Sequence, residues 1–217
     1  MDFTRISNEE YSLSGTGFSF SPYGGIALRL AGTYQPKNAA TAITAIEVLR
    51  EKGYNVKDEH IVNGLGGVYW PGRFEVLGRK PVFILDGSHN PQGAQATAEC
   101  LRHHFGGKKI VFVIGVMADK DAGGIVKHIA GFAKLLIAVR PDNPRAMDET
   151  MLAGGLSAYD VPVIAFGSVY DGVAEAVTRA GKDGIVCALG SLFLSAEIRS
   201  AYSRLIREHL RPVEPSV

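Results

Sequence analysis

The sequence predicts an α/β protein: a Rossmann-like, mainly parallel sheet with one antiparallel edge strand, preceded by a smaller segment of different character. Three observations carry that prediction. Short apolar runs without alternation, such as Val82-Phe83-Ile84-Leu85, read as strands covered on both faces. Each run is followed by a helix-length amphipathic stretch, so consecutive strands need crossover connections and lie parallel. One pair breaks the rule, because Gly78-Arg79-Lys80 is a link of hairpin length.

Residues 1 to about 30 alternate like strands and are broken by glycines, as in Gly17-Phe18-Ser19-Phe20; Ile26, Leu28 and Leu30 then alternate cleanly. Pro36 opens a helix over 36–52, with Ala39, Ala42, Ile43, Ile46 and Leu49 on one expected apolar stripe. A shorter helix is expected over 58–65, ending at Gly66-Gly67. The domain boundary falls near Val68 to Gly72, giving units of residues 1–72 and 73–217. Beyond it, strands are expected near 74–78, 81–86, 109–115, 134–139, 162–165 and 184–189. Helices are expected near 91–104, 122–132, 147–156, 169–180 and 192–209, and the tail 211–215 should fray.

Composition narrows the function classes. The chain has 217 residues, 46% of them hydrophobic, enough for a sizeable core. Its 23 basic and 22 acidic residues leave a net charge of +1, so neither nucleic acid nor an anionic membrane is an expected partner. No apolar run approaches the roughly 20 residues of a spanning helix, and MDFTRISNEEY is not a signal peptide. Cys100 and Cys187 stand apart and read as small core residues of a cytoplasmic protein, with no metal or redox spacing. His103 and His104 are adjacent on a helix and cannot share a metal on one face. No G-x-G-x-x-G follows a strand, which disfavours a dinucleotide.

The chemistry concentrates at PVFILDGSHNP, residues 81–91, where a buried strand ends in Asp86, Gly87, Ser88, His89 and Asn90. In open α/β sheets that end of the strands is where ligands bind. The same residues also make good turn and cap chemistry: Asp86-Gly87 suits a turn, and Asn90-Pro91 suits an N-cap and first helical position. Both readings stay open from the residues alone.

WPGRFEVL followed by ILDGSHNP resembles the start of the C-terminal domain of folylpolyglutamate synthase, also called dihydrofolate synthase, in the Mur ligase family. The resemblance continues through GVMADKD at 115–121, DNPRA at 142–146 and GSLFL at 190–194. Upstream, AGTYQPKNAATAITAIEVL resembles the last part of that family's ATPase domain. The sequence departs from the family at Phe193, where tyrosine is frequent, which leaves the role of that ring open. HNP and NPR-A disfavour a Mur ligase acting on cell-wall precursors.

The resemblance implies an ATP-dependent ligase in which the terminal carboxylate of a folate or dihydropteroate becomes an acyl phosphate, attacked by the amine of L-glutamate. It implies nucleotide contacts from Asn38, Arg73, Asp86 and His89, with Arg73 on the phosphates. It places Lys120, Arg145 and Ser191 at the glutamate, whose two carboxylates suit a lysine and an arginine. Each has a plain structural counterpart: Arg73 paired with Glu75, Asn38 in a helix cap, His89 in a capped turn, and an exposed Asp119-Lys120-Asp121 charge cluster with Arg145 beside it. Magnesium is implied too, but its family ligands lie upstream of the matched region, so no catalytic or metal residue is assigned here. The sequence has no G-x-x-x-x-G-K-[ST] loop, the backbone cradle with its lysine that holds phosphates. The chain is therefore expected to be the C-terminal half of a ligase, inactive alone, whose ATPase region lies N-terminal in cis. The alternative is a non-catalytic nucleotide- or amino-acid-binding module.

Overall fold

A computed structural model describes residues 2–210 and resolves into two compact units. The tail expected to fray lies outside the described residues. The first unit comprises Met1–Glu75 and Glu99–Gly106; the second comprises Val76–Ala98 and Gly107 onward.

In the first unit, β1 (Ile6–Ser12), β2 (Gly15–Phe20) and β3 (Gly24–Leu28) form an antiparallel sheet in that order. The alternation in the sequence becomes its buried face: Phe18 stands opposite Ile26, and Thr16 opposite Leu28. Helices α1 (Gln35–Glu51) and α2 (Asp58–Gly66) follow. Ala39, Ala40 and Ile43 of α1 join Phe18, Phe20, Ile26, Leu28 and Ile61 in one core.

The stripe expected on α1 is rotated. Ala40 is buried where Ala42 was expected, and Leu49 is 41% exposed. The helix is apolar on two sides, so periodicity alone could not choose between them. The inward face also carries a charge. Glu47 accepts both terminal guanidinium nitrogens of Arg5, at 2.8 and 2.7 Å, and the Tyr23 hydroxyl at 2.9 Å. The Arg5 hydrogen bonds hold the Glu47 carboxyl below its usual range. A depressed carboxylate stabilises the fold fully above its unfolded pKa and loses that contribution as pH falls through the lower folded value. Glu47→Gln should therefore cost about 1–2 kcal/mol at neutral pH. The loss should shrink below about pH 4, where the carboxylate of the unfolded chain protonates. Urea unfolding at both pH values measures it.

The second unit is built on a six-stranded sheet in the order β4-β5-β9-β6-β7-β8. Its strands are β4 (Glu75–Arg79), β5 (Val82–Leu85), β6 (Ile110–Ile114), β7 (Ala133–Val139), β8 (Val163–Phe166) and β9 (Ile185–Leu189). Pairs β5·β9, β9·β6, β6·β7 and β7·β8 are parallel. The edge strand β4 reaches β5 through Lys80 and Pro81 alone, a connection that only a hairpin can make. The expected mixed, mostly parallel sheet with an antiparallel edge is the sheet observed.

Helices α3 (Pro91–Phe105), α4 (Ala122–Ile129), α5 (Glu149–Leu156), α6 (Val169–Ala180) and α7 (Leu192–Leu210) connect and cover the strands. Phe83, Val111, Val113, Ile137, Val186 and Ala188 pack on one face against Val173, Ala176, Ile198 and Tyr202 of α6 and α7. Neighbouring strand residues Ile84, Phe112, Ile114 and Cys187, on the opposite face, are just as fully buried. Both faces being covered explains why these strands read as unbroken apolar runs. No helix of the described residues is long and apolar enough to cross a membrane.

His104 is partly buried: its Nε2 lies 3.0 Å from the Ala31 carbonyl, and its ring stacks on Phe74 with centroids 5.6 Å apart. Cys100 is fully buried, and its sulfur accepts the Thr33 N–H at 3.2 Å.

Candidate functional site

Parallel strands bring their C-terminal ends together, and in the second unit three of those ends are tied by backbone contacts. Gly190 N–H donates to the Ser88 carbonyl at 2.7 Å, joining the turns after β9 and β5. Gly115 N–H donates to Leu189 O at 3.4 Å, joining the end of β6 to β9. Gly190 adopts φ +120°, and a β-carbon there would lie 2.6 Å from the Gly115 carbonyl oxygen. Glycine is required by both conformation and space.

The turn after β5 is held from within. Asp86, 1% exposed, accepts the Ser88 N–H at 2.8 Å and the Ser88 hydroxyl through the same oxygen. Ser88 Oγ also meets Thr97 Oγ1 of α3 at 2.8 Å. Asn90 caps α3 by accepting Gly93 N–H at 2.7 Å, with Pro91 in the first helical position. His89 Nδ1 lies 3.1 Å from the Gly87 carbonyl. A carbonyl can only accept, so Nδ1 donates there.

Two further loops are zipped to each other. Ala118 N–H donates to Arg145 O at 2.8 Å and Met147 N–H to Val116 O at 2.9 Å, flanking an antiparallel bridge between Met117 and Ala146. That pairing brings Lys120 and Arg145 to one carboxylate. Asp119 lies 3.1 Å from Lys120 Nζ and 3.0 Å from Arg145 Nη2. Hydrogen bonding from Lys120, and then from Arg145, holds the Asp119 carboxyl below its usual range. The acidic residue on the other side of Lys120 turns to the backbone instead. Asp121 caps α4 by accepting Gly124 N–H at 2.7 Å. The Asp119-Lys120-Asp121 run is thus one ion-pairing carboxylate, one cavity-lining cation and one cap.

Ser191, 3% exposed, caps α7, its hydroxyl accepting the Phe193 N–H at 3.1 Å. The start of that helix borders a cavity of about 190 Å³ lined by His89, Met117, Lys120, Arg145, Gly190, Ser191, Leu192 and Phe193. All three residues expected at the glutamate meet there, and His89, expected on the nucleotide side, joins them. Phe193 is 59% exposed at the rim. Lys120 and Arg145, both paired with Asp119, border the cavity beside the start of α7, and most of the surface that it exposes is apolar. Asp119 pairs with both Lys120 and Arg145, the charge cluster that the sequence offered as the plain structural reading of these residues, and Asp86 does not line the cavity.

The other candidates lie in the first unit. Asn38 is exposed in the first turn of α1, where its side-chain amide donates to Gln35 Oε1 at 3.1 Å, so it does not cap the helix. Arg73 stands between two left-handed residues, Gly72 at φ 71° and the fully buried Phe74 at φ 45°. A phenylalanine in that region is strained and is held by its packing on His104. The Arg73 guanidinium lies 5.4 Å from the ring centre of Trp70, and Glu75 accepts the Gly72 N–H at 2.8 Å. Among the described residues, no group of three His, Cys, Asp or Glu side chains could hold a metal.

Residues 72–192 match the glutamate ligase domain of Mur ligases. The chain is 33% identical over 205 residues to a probable bifunctional folylpolyglutamate synthase/dihydropteroate synthase of Halobacterium salinarum, covering 94% of this chain and 24% of that protein. It is 32% identical over 207 residues to the dihydrofolate synthase/folylpolyglutamate synthase of Bacillus subtilis, covering 91% of this chain and 47% of that enzyme. Its fold aligns with the Mycobacterium tuberculosis folylpolyglutamate synthase solved with ADP and AMPPCP, with a TM-score of 0.78 and 25% identity over 96% of this chain and 48% of that one. The chain thus spans half or less of the length of these relatives.

Proposed function

The chain belongs to the Mur ligase family through its glutamate ligase domain, and from that premise we propose that it forms the amino-acid-binding part of an ATP-dependent ligase joining L-glutamate to folate, to dihydropteroate or to both. The observation that carries this reading is the cavity that gathers Lys120, Arg145, Ser191 and His89 at the strand ends. In it, Lys120 and Arg145 bind the glutamate carboxylates and the start of α7 supplies N–H donors. The amine is then held facing the acyl group to be joined. Asp119 positions both cations while no substrate is bound, and yields part of its hydrogen bonding to the incoming carboxylates.

In this proposal residues 1–72 are the end of an ATPase domain and residues 73–217 the ligase domain, working in the cytoplasm. Asn38 and Arg73 are the nucleotide contacts of the first unit. Asp86 and His89 are those of the second, Asp86 through the turn that presents His89. ATP supplies the phosphoryl group that activates the acyl carboxylate. The described residues do not fit a magnesium site, so no step is assigned to a metal here. The phosphate loop and magnesium ligands belong, in this reading, to a region joined in cis.

The purified chain should therefore bind L-glutamate yet turn over no ATP in the presence of folate, dihydropteroate and glutamate. Folate- and glutamate-dependent release of phosphate by the chain alone would overturn the division of labour proposed here.

A further inference from the structure

Arg73, proposed as a nucleotide contact, is carried by a turn of uncommon backbone geometry. Gly72 and Phe74, on either side of it, are both left-handed, at φ 71° and 45°. Glycine adopts that conformation freely, whereas a bulky side chain resists it. Phe74 is held there with its side chain fully buried. Glu75 closes the turn by accepting the Gly72 N–H at 2.8 Å. Backbone strain of this kind persists only where the surroundings fix it.

The support comes from the last two turns of α3, which belong with residues 72–75 to the first unit. His104 presents its ring to Phe74, with centroids 5.6 Å and planes 24° apart. The imidazole is itself fixed, its Nε2 lying 3.0 Å from the Ala31 carbonyl and the His103 ring edge-on beside it at 5.2 Å. Its neighbours on the same helix face are anchored as well. Cys100 accepts the Thr33 N–H at 3.2 Å, and the His103 ring meets Tyr11 of β1 edge-on at 5.0 Å. Burial holds the His104 imidazole below its usual range, so the ring that Phe74 meets is neutral near neutral pH. Phe74 therefore leans on a support whose position is set by contacts of its own. The turn in turn directs Arg73 to an aromatic ring. Its guanidinium lies 5.4 Å from the ring centre of Trp70, the chain's single tryptophan.

We propose that His104 is a positioning residue for Arg73, its ring holding Phe74 in the left-handed conformation of the turn that directs the arginine to Trp70. That Arg73 meets phosphates rests on the proposed function; the hold on its turn does not.

The test is the fluorescence of Trp70 in folded variants of the 217-residue chain, with thermal melts beside it. Arg73→Gln takes the cation from the indole and should shift the emission. His104→Ala should produce the same shift, and Arg73→Gln should then add nothing to it. His104→Phe keeps a ring against Phe74 without the Ala31 contact and should retain the parent emission. His104→Gln keeps an N–H donor without the ring and should not. Parent emission from His104→Ala and His104→Gln, with only the melting temperature lowered, would overturn the proposal and leave His104 a packing residue. If His104→Ala does not fold, the other two variants decide, and equal emission from His104→Phe and His104→Gln would overturn it. Parent emission from Arg73→Gln would overturn it too, since the arginine would then not be held at the indole. Emission that follows His104 as expected, yet is unmoved in the parent by inorganic tripolyphosphate, would uphold the positioning and count against the phosphate role of Arg73.

Discussion

Gly190→Ala should destabilise the second unit by about 3–5 kcal/mol, the sum of an unfavourable backbone conformation and overpacking. The residue sits at φ +120°, and an alanine β-carbon would lie 2.6 Å from the Gly115 carbonyl oxygen and 3.1 Å from Val116. Neither neighbour can yield cheaply. Gly115 ends a buried strand, and the Gly190 N–H is bonded to Ser88 at 2.7 Å. The strand ends would have to separate, taking with them the wall of the cavity that holds Ser191. Urea unfolding should record the loss. A variant within about 1 kcal/mol of the parent would mean that this approach is not what ties the strand ends together.

Removing Lys120 and Arg145 together should weaken L-glutamate binding by two orders of magnitude or more while leaving the fold intact. Charge-assisted hydrogen bonds to a carboxylate contribute roughly 1.5–3 kcal/mol each, and two are lost. The side chains are 34% and 65% exposed, so their deletion opens no core cavity. Asp119→Asn offers a complementary test. It keeps both cations but frees them from their clamp, so glutamate affinity should change by far less than in the double alanine variant. Binding calorimetry alongside thermal melts separates a lost contact from a lost fold. Unchanged affinity in the double variant would remove both residues from the site.

The sheet was legible in the sequence because burial on both faces turns its strands into apolar runs of strand length. Its hairpin edge was legible because the link, read as Gly78-Arg79-Lys80 and observed as Lys80-Pro81, is too short for a crossover. That Lys120, Arg145 and Ser191 lie on one edge followed from parallel topology, which places every strand's C-terminal end there, whereas His89, expected on the nucleotide side, was not foreseen beside them. The face of α1 was not legible. Ala39, Ala40 and Ile43 and the opposite Ala42 and Leu49 are equally apolar, and only the position of the Arg5–Glu47 pair marks the inward side.

The Asp119 charge cluster with Lys120 and Arg145 was legible in the sequence, but the backbone pairing between loops 115–121 and 141–147 that joins them was not, because main-chain hydrogen bonds leave no residue pattern to read. Turn and site chemistry also share an alphabet. Asp86, Asn90, Asp121 and Ser191 all serve as caps or turn acceptors in the fold, and the sequence could not separate that work from ligand contact.

The most direct test of the amino-acid-binding assignment is to follow the backbone amide resonances of the chain while L-glutamate is added. The account predicts saturable shifts centred on Met117–Lys120, Arg145 and Ser191–Phe193, absent with L-alanine and lost in the Lys120→Ala, Arg145→Ala chain. No saturable shift, or shifts confined to residues remote from that cavity, would contradict it.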